Sequence, residues 1–337
     1  MRQHLGIALF TTLLPLGSAS AQPAVQVRVD KGEIVLSVGP LEIAPARPYS
    51  HHADEAYHAI DWPASGWVRG YRVDLIDSTG APLPRALLHH AGVANLDRRQ
   101  IAYPMAERVF AAAHETKPVS FPELVGLPLT QGQRMVLYYA LVNPDTVAIG
   151  GVVLQVRIRW APEREKHHVV LPFYASAKQD TRESISFDIP AGRSSTSAEF
   201  TLPAGGWLRA LGGHLHDHGV ELRLEDAESG KVLARIRAKR ARDGRLVDVG
   251  RTIFPFRQRG LRLRGNHRYR VVAVYDNPTD AVIRGGAMGF LAGAFTPEDV
   301  RAFSGIASGD PVFDSDVRRL LGGKQPTGVA ATAHSHH

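Results

Sequence analysis

The segment Trp62-Pro63-Ala64-Ser65-Gly66-Trp67-Val68-Arg69 returns, with changes, as Leu202-Pro203-Ala204-Gly205-Gly206-Trp207-Leu208-Arg209. Farther along, Asn143-Pro144 with Ile149-Gly150-Gly151 is similar to Asn277-Pro278 with Ile283 to Gly286. The two offsets, about 140 and 134 residues, agree with a single long period. A period of this length indicates two similar domains in one chain, because the repeats of a solenoid are far shorter.

Most of the chain has the alternating or β-branched composition of β-strands, interrupted by turn residues. The segments with the clearest strand pattern are 25–29, 34–38, 68–76, 135–142, 152–160, 219–224 and 269–275. Helices are predicted only at 105–113 and 297–303. The sequence therefore predicts an all-β fold of two tandem β-sandwich, jelly-roll-like domains that are related by the internal repeat.

The first residues have the pattern of a secretory signal peptide. Arg2 precedes an apolar stretch over residues 7–17, and Ser18-Ala19-Ser20-Ala21 offers small residues for cleavage before Gln22. No later segment is apolar enough to span a membrane, so we expect a periplasmic or secreted protein. The predicted organisation is a signal peptide at 1–21, a first domain at 22–162, a second domain at 163–300 and a largely disordered tail at 301–337.

The charge and the cysteine count limit the function classes. The 337-residue chain has a formal net charge of +7, with arginine and lysine concentrated in residues 231–245 and 257–270. These segments lack the interleaved aromatic residues that bind nucleic acid, so we expect a solvated basic face or contact with an anionic surface. The chain has no cysteine, which leaves histidine, methionine and carboxylate as metal ligands. No GxSxG, P-loop or GxGxxG motif is present.

The motif with the clearest chemistry is Gly213-His214-Leu215-His216-Asp217-His218-Gly219. In a strand, residues two apart point to the same face, so His214 and His216 project side by side. Two converging imidazoles form a ready ligand pair for copper or zinc. The alternative is that some of these histidines are ordinary surface residues.

Three further residues are candidate ligands. His89 and His90 follow the first Trp-Val-Arg strand, and as neighbours in a strand they would bind one ion only at a bulge or a strand end. Met288 lies in Gly285-Gly286-Ala287-Met288-Gly289-Phe290, beyond the second Asn-Pro turn. A thioether beside two imidazoles favours copper over zinc, although a lone methionine in a strand is commonly core filling.

These residues, in this order across two repeats, resemble the copper type II, ascorbate-dependent monooxygenases, the family of peptidylglycine α-hydroxylating and dopamine β-monooxygenases. The resemblance extends over residues 48–295. It implies that a copper ion held by His214, His216 and Met288 binds O2 and hydroxylates a substrate C–H bond. It also implies that a second copper at His89 and His90 supplies an electron across the cleft, with ascorbate or a similar compound as external reductant.

The chain departs from the family pattern at several positions. The third histidine of the electron-supplying site corresponds to Val142, so His58 or His52 would have to complete that site. The arginine with which the peptide hydroxylase binds its substrate corresponds to Gly212, so binding of a peptide carboxylate is not supported. Asp217 and His218 are candidates for orienting the imidazoles, and a turn is the alternative role for Asp217.

Three functions remain open from the sequence. The first is an exported copper-dependent monooxygenase that acts on an unknown small molecule or peptide. The second is a copper-binding or copper-handling protein without turnover, which Val142 and the histidines of residues 331–337 suggest. The third is a structural β-sandwich module that has the fold but not the chemistry.

Overall fold

The computed structural model describes residues 23–45, 55–165, 167–178, 185–254, 260–303 and 309–322, and this part of the chain is mostly β-strand. The strands of the first repeat are β1 (Gln26–Asp30), β2 (Glu33–Ile43), β3 (Ala56–Asp61), β4 (Gly66–Ile76), β5 (Leu88–Arg99), β6 (Ala106–Ala112), β7 (Val119–Ser120), β8 (Val125–Leu129), β9 (Arg134–Leu141) and β10 (Ile149–Pro162).

A short connecting strand, β11 (His168–Val169), lies between the two repeats. The strands of the second repeat are β12 (Leu171–Ser176), β13 (Phe187–Ile189), β14 (Gly192–Thr201), β15 (Gly206–Leu215), β16 (Gly219–Asp226), β17 (Val232–Arg240), β18 (Leu246–Val249), β19 (Thr252–Ile253), β20 (Leu261–Leu263), β21 (Arg268–Asn277), β22 (Ile283–Ala287) and β23 (Gly289–Pro297). An α-helix, α1 (Pro311–Leu320), comes after them.

Each repeat forms two facing sheets with the same strand order. The first repeat pairs β2-β10-β4-β8 in one sheet and β3-β9-β5-β6 in the other. The second repeat pairs β12-β23-β15-β20 and β14-β21-β16-β17. In both, the first and last long strands of the repeat are neighbours, as in a jelly roll. The predicted all-β architecture of two related sandwiches is confirmed.

The strand register shows how closely the two repeats agree. Gly66 pairs with Leu129 on one side and with Pro162 on the other. Gly206, at the corresponding place of the second repeat, pairs with Leu263 and with Pro297. Both glycines lie where an added Cβ would meet backbone oxygen at about 2 Å, at 2.2 Å for Gly66 and 2.4 Å for Gly206. The Gly-Trp dipeptide therefore recurs because close strand packing requires glycine at this position.

The two Asn-Pro turns make the same hydrogen bonds. The Asn143 amide donates to the carbonyls of Ile43 (3.2 Å) and Val147 (2.8 Å). The Asn277 amide donates to the carbonyls of Ile189 (3.2 Å) and Ala281 (2.8 Å). Because both asparagines are buried, these bonds satisfy groups that would otherwise lose their hydration. The repeat is thus preserved in its buried polar contacts as well as in its sequence.

Most of the predicted secondary structure is observed, with two corrections. Each predicted strand segment overlaps an observed strand, but the predicted helix at 105–113 is wrong, since this segment is strand β6. Its alanine-rich composition favours a helix, but pairing with β5 buries the segment in a sheet, and tertiary contacts override local propensity. Of the predicted helix at 297–303, only a single 3₁₀ turn forms, at Val300–Phe303.

The prediction that residues 301–337 are largely disordered is wrong for residues 311–320, which form α1. The Asp310 side chain caps the helix by accepting from the backbone N–H groups of Val312 (2.9 Å) and Phe313 (3.2 Å). Phe313 and Leu320 are buried against Ala94 and Val136 of the first sandwich. Local sequence does not predict this short helix, because its buried residues are stabilised by contacts with the first sandwich.

A buried ion pair attaches α1 to the first sandwich. Arg108 of β6 donates to both oxygens of Asp316, over 2.7 and 2.8 Å. The Asp316 side chain is fully buried, and its Oδ1 also accepts from Arg319 (3.0 Å). Burial alone would raise the pKa of Asp316, but the charge and hydrogen bonds of Arg108 lower it to about 2.

The basic segments contribute to a paired, charged surface. Arg270 donates to Glu199 over 2.6 Å, and Arg235 donates to Glu221 across neighbouring strands. Such pairs are typical of a solvated sheet face. Within the described ranges, no helix has the length and apolar character needed to cross a membrane.

Candidate metal site between the two sandwiches

A cavity of about 1590 Å³ lies between the two sandwiches, with α1 at its border. Aliphatic and aromatic side chains make up much of its wall, among them Phe110, Tyr138, Tyr174 and Phe290. All of the predicted ligands also line it, namely His89, His90, His214, His216 and Met288. The fold therefore brings the candidate residues of both repeats to one place.

The four histidine rings form a continuous row. The ring centroids of His90 and His89 are 5.0 Å apart, those of His89 and His216 are 5.8 Å apart, and those of His216 and His214 are 5.1 Å apart. The resemblance assigns the first pair and the second pair to separate copper ions on opposite sides of a cleft. Here the two pairs are direct neighbours, with His89 of the first sandwich against His216 of the second.

The row begins with His214, near the end of β15. The His214 ring is bound by a carboxylate from the other sandwich. Its Nδ1 lies 2.8 Å from Oε1 of Glu115, in the loop after β6. The Glu115 side chain is only 2% exposed. Burial alone would raise the pKa of Glu115, but the hydrogen bond and charge of His214 keep it below its usual range. Because Nδ1 is engaged, Nε2 is the nitrogen left for a ligand.

His216 follows β15 and has one engaged and one unpaired nitrogen. Its Nδ1 lies 3.1 Å from the carbonyl oxygen of Gly286, whereas its Nε2 is buried without a hydrogen-bond partner in the described residues. Burial, reinforced by the charges of His214 and His89, lowers the pKa of His216 to about 3. The imidazole is therefore neutral at pH 7 and presents a free lone pair, as a metal ligand must.

Met288 lies between β22 and β23 and is tied to His216 through a tyrosine. The hydroxyl of Tyr275 accepts from the backbone N–H groups of His216 (3.0 Å) and Met288 (3.3 Å), and it donates to the carbonyl of Met288. Tyr275 is almost fully buried, so its hydroxyl has no access to bulk water. One buried hydroxyl thus holds the backbones of two predicted ligands together.

The first-sandwich pair lies near the start of β5. Burial, with the charges of His90 and His214, lowers the pKa of His89 to about 4, so this imidazole is also neutral at pH 7. Nε2 of His90 lies 2.7 Å from Oε1 of Glu55. Burial alone would raise the pKa of Glu55, but the hydrogen bond and charge of His90 keep it below its usual range.

Among the described residues, His214 and His216 of the second sandwich are the other histidines that line the cavity, and no third histidine of the first sandwich lines it. Val142, directly after β9, donates its backbone N–H to Leu87 over 2.9 Å and has an exposed side chain. His58 stacks on Tyr139, with ring centroids 5.6 Å apart, and does not line the cavity. His52 lies outside the described residues. Val142 and His58 therefore do not complete a three-histidine site.

The other residues of the Gly-His motif have structural roles. Asp217 accepts from the backbone N–H of Leu246 (2.7 Å), so this carboxylate oxygen bonds the start of β18. His218 has a left-handed backbone, with φ of 66°, and donates its N–H to Gly244 (2.8 Å). It lies outside the cavity that contains His214 and His216. The left-handed turn ends the strand alternation, which separates His218 from the other two histidines.

Sequence reasoning missed the acidic partners of the row, Glu115 and Glu55. Glu115 is preceded by His114, whose Nδ1 lies 3.4 Å from Glu115 Oε2. This His-Glu dipeptide is the one local signal, and it is too short to identify a site. The pairing of Glu115 with His214 spans 99 residues and depends on how the two sandwiches pack.

The donor set suits copper, although it is not arranged as a closed metal cage. Among the described residues, no group of three or more His, Asp or Glu side chains stands in a metal-holding arrangement. The predicted set is instead two imidazoles and a thioether, which is soft enough to prefer copper. The buried, unpaired Nε2 of His216 and the carboxylate on His214 are the features expected around such a ligand pair. The donor types present therefore suit copper, and copper binding at these residues stays a prediction.

No protein-family model and no curated protein matches this chain. Among solved structures, it is similar to N-glycanase F (TM-score 0.40, 10% identity, covering 78% of this chain and 95% of that one). It is also similar to the STIV major capsid protein, with a TM-score of 0.39 and 11% identity, covering 72% of this chain and 92% of that one. The major capsid protein P2 of bacteriophage PM2 is similar with a TM-score of 0.36 and 10% identity, covering 77% of this chain and 98% of that one. Likenesses this weak carry no argument about activity, and the resemblance to copper monooxygenases stays a prediction.

Proposed function

We propose that this chain is an exported copper-dependent monooxygenase that hydroxylates a C–H bond of its substrate with O2 and an external reductant. The observation that carries the proposal is the convergence of His214, His216 and Met288 with His89 and His90 on one cavity between the sandwiches. The cavity volume of about 1590 Å³ leaves room for a substrate beside the ligands.

Copper bound at these residues would supply the O2 activation and the electron transfer. The protein's own contribution is to present imidazoles in set orientations, with those of His89 and His216 neutral at pH 7. His216 is oriented through Gly286 and Tyr275, and His214 is oriented through Glu115. Since these groups are fixed before any ligand binds, little reorganisation is needed when the site is loaded.

The cavity wall favours a substrate with an apolar body. Phe110, Tyr138 and Phe290 line the cavity and offer aromatic surfaces for packing. Gly212 lies on the same wall where the peptide hydroxylase has an arginine, so that position itself supplies no cation to a peptide carboxylate, although Arg209 and Arg251 also line the cavity.

The proposal of export rests on residues 1–21 of the sequence, which lie outside the described structure. A periplasmic or secreted location also agrees with a metal site that uses no cysteine thiolate.

A copper-binding protein without turnover is the second candidate. It is favoured by the first-sandwich pair, where Val142 replaces a third ligand and Glu55 already engages His90. In this case the site at His214, His216 and Met288 would bind copper, and the first-sandwich pair would not supply an electron.

The test is copper content per chain after loading and desalting, for the unchanged protein, His214→Ala and His89→Ala. All proteins carry His334→Ala, His336→Ala and His337→Ala, so that the tail does not bind copper. We expect two copper ions, one lost with each cavity substitution, and O2 consumption with ascorbate that requires both. His168→Ala, at an exposed histidine outside the cavity, is the matched control and should keep both ions.

The outcomes separate the candidates. One copper ion that is lost only in His214→Ala, without O2 consumption, would support the copper-binding protein. No tightly bound copper in the unchanged protein would contradict both functions.

A further inference from the structure

We propose that Glu115 of the first sandwich is the positioning residue for His214 of the second sandwich, so that the copper site at His214, His216 and Met288 is completed only when the two sandwiches pack together. The inference rests on the proposed function in assuming that His214 binds copper. It adds a residue that the ligand motif itself does not contain.

The contact between these residues is short and shielded from water. Oε1 of Glu115 lies 2.8 Å from Nδ1 of His214, with the two side chains 2% and 13% exposed. The other carboxylate oxygen lies 3.4 Å from Nδ1 of His114, whose side chain is 42% exposed. The contact of Glu115 with His214, across the domain boundary, is therefore better buried than its contact with His114. Burial strengthens a charge-assisted hydrogen bond.

The loop that contains Glu115 is itself fixed by the first sandwich. The Arg85 guanidinium donates to the carbonyls of Ala113 (3.0 Å), His114 (3.2 Å) and Thr116 (2.8 Å). The hydroxyl of Thr116 also accepts from the backbone N–H of Ala113 (3.0 Å). Because these bonds use the loop backbone on both sides of Glu115, contacts within the first sandwich fix the backbone that carries the carboxylate.

A second contact joins the same loop to the second sandwich. Nζ of Lys117 lies 2.8 Å from Oδ2 of Asp248 in β18. The loop after β6 therefore touches the second sandwich at both Glu115 and Lys117. Of these two contacts, only that of Glu115 reaches a predicted copper ligand.

This arrangement determines which nitrogen of His214 is available. In the neutral ring, a proton on Nδ1 that is donated to the carboxylate leaves the lone pair on Nε2, which is then the nitrogen that can bind a metal. A carboxylate on the far nitrogen also makes the imidazole a better donor, and loss of such a partner commonly weakens metal binding about 10- to 100-fold.

The first experiment compares Glu115→Ala, Glu115→Gln and the control Glu123→Gln in full-length protein that carries the tail substitutions. Glu123 is an exposed carboxylate of the same sandwich and does not line the cavity. Copper affinity is measured by competition titration, and the ligand field of bound Cu(II) is measured by electron paramagnetic resonance.

We expect Glu115→Ala to weaken the His214-dependent copper about 10- to 100-fold and to change its spectrum. Glu115→Gln should recover part of the affinity, because the amide oxygen still accepts the hydrogen bond, and Glu123→Gln should match the unchanged protein. Equal affinity and an unchanged spectrum in Glu115→Ala would overturn the inference.

The second experiment needs no metal. Nitrogen-15 magnetic resonance of the His214 ring should show a single Nδ1–H tautomer in the unchanged protein and a mixture of tautomers in Glu115→Ala. If the protein binds no copper but this difference appears, the proposed function fails and the positioning role of Glu115 stands. If the tautomer of His214 is the same in both proteins, the positioning role is wrong whatever the copper result.

Discussion

At each end of the histidine row a glutamate carboxylate contacts an imidazole, but the two pairs differ in how deeply they are buried. At one end Glu115, with its side chain 2% exposed, holds His214, which is 13% exposed. At the other end Glu55, 32% exposed, holds His90, which is 24% exposed. Both contacts are short, at 2.8 and 2.7 Å, so distance does not distinguish them. Burial does, because water weakens an exposed charge pair much more than a buried one.

The carboxylates also differ in what supports them. Glu115 lies in a loop fixed by Arg85, whereas Glu55 accepts a hydrogen bond from Tyr57 of β3 and lies 3.8 Å from Arg319 of α1. Arg319 also donates to the Tyr57 hydroxyl (3.3 Å) and is held by Asp316, which pairs with Arg108. The His90 end therefore depends in part on the docking of a short helix, and the His214 end depends on the packing of two whole sandwiches. We expect the His214 end to be the more rigid of the two.

The largest expected effect comes from breaking the ion pair that docks α1. Asp316→Ala leaves Arg108 buried without its partner, which costs about 3–5 kcal/mol of unfolding free energy. Denaturant unfolding measures the cost, and hydrogen exchange should show α1 released first. The comparison predicts that the ring resonances of His90 shift while those of His214 stay unchanged. Equal shifts at both ends would contradict the proposed independence of the two.

Protonation of Asp316 at low pH should also lower the free energy of unfolding, by less than Asp316→Ala does. The pKa of Asp316 is lowered to about 2 in the folded protein. Its contribution to the free energy of unfolding is therefore complete at pH values above its pKa in the unfolded chain, and it is lost as the pH falls through about 2. The contribution is about 2 kcal/mol, from the shift below the ordinary aspartate pKa. Unfolding free energy measured from pH 5 to pH 2 should fall less steeply in Asp316→Asn than in the unchanged protein. Parallel curves for the two proteins would refute this assignment.

Tyr275→Phe tests the second-sandwich end. Removing the hydroxyl leaves the buried N–H groups of His216 and Met288 unpaired, at a cost of about 1–3 kcal/mol. Copper that depends on His214 should bind more weakly, whereas copper that depends on His89 should be unaffected. Tyr139→Phe, at a tyrosine that stacks on His58 outside the cavity, is the matched control and should keep both affinities.

The smallest expected effect is that of Glu55→Gln. Because this pair is partly exposed, the change should cost less than about 1 kcal/mol of unfolding free energy and should weaken copper binding at the His89–His90 pair only slightly. The decisive comparison is with Glu115→Gln, measured by the same competition titration. A larger loss in Glu55→Gln than in Glu115→Gln would reverse the ranking of the two ends by burial.

Local patterns were sufficient for the strands but not for the helices. Strand β10 is apparent from its alternating residues, because the buried side chains lie two positions apart. Strand β6 reads as a helix from its alanine content, and only its pairing with β5 makes it a strand. Helix α1 was missed because most of its stability comes from Phe313, Leu320 and the Asp316 ion pair, all of which require the first sandwich.

The residues of the candidate site also fall into those that the sequence predicts and those that only the structure reveals. His214 and His216 are candidate ligands from the sequence because the period of a strand places them on one side, whereas Met288 is a candidate through the resemblance to the copper monooxygenases. Glu115 and Glu55 carry no such pattern, since ordinary acidic residues in loops and at strand ends are common. The adjacency of His89 to His216 likewise has no local signature, because it joins two repeats across a domain boundary.

By itself, the sequence determined the all-β class and the two related sandwiches, and it predicted imidazole and thioether side chains as candidate metal donors. These depend on alternation, turn residues and repetition, which act over a few neighbouring residues. Only the tertiary structure decided that the donors of both repeats form one row, that α1 docks beside it, and that buried Glu115 orients His214. Those features depend on which surfaces of the two sandwiches exclude water from each other, and burial then makes a carboxylate 99 residues away a strong partner for one ring nitrogen.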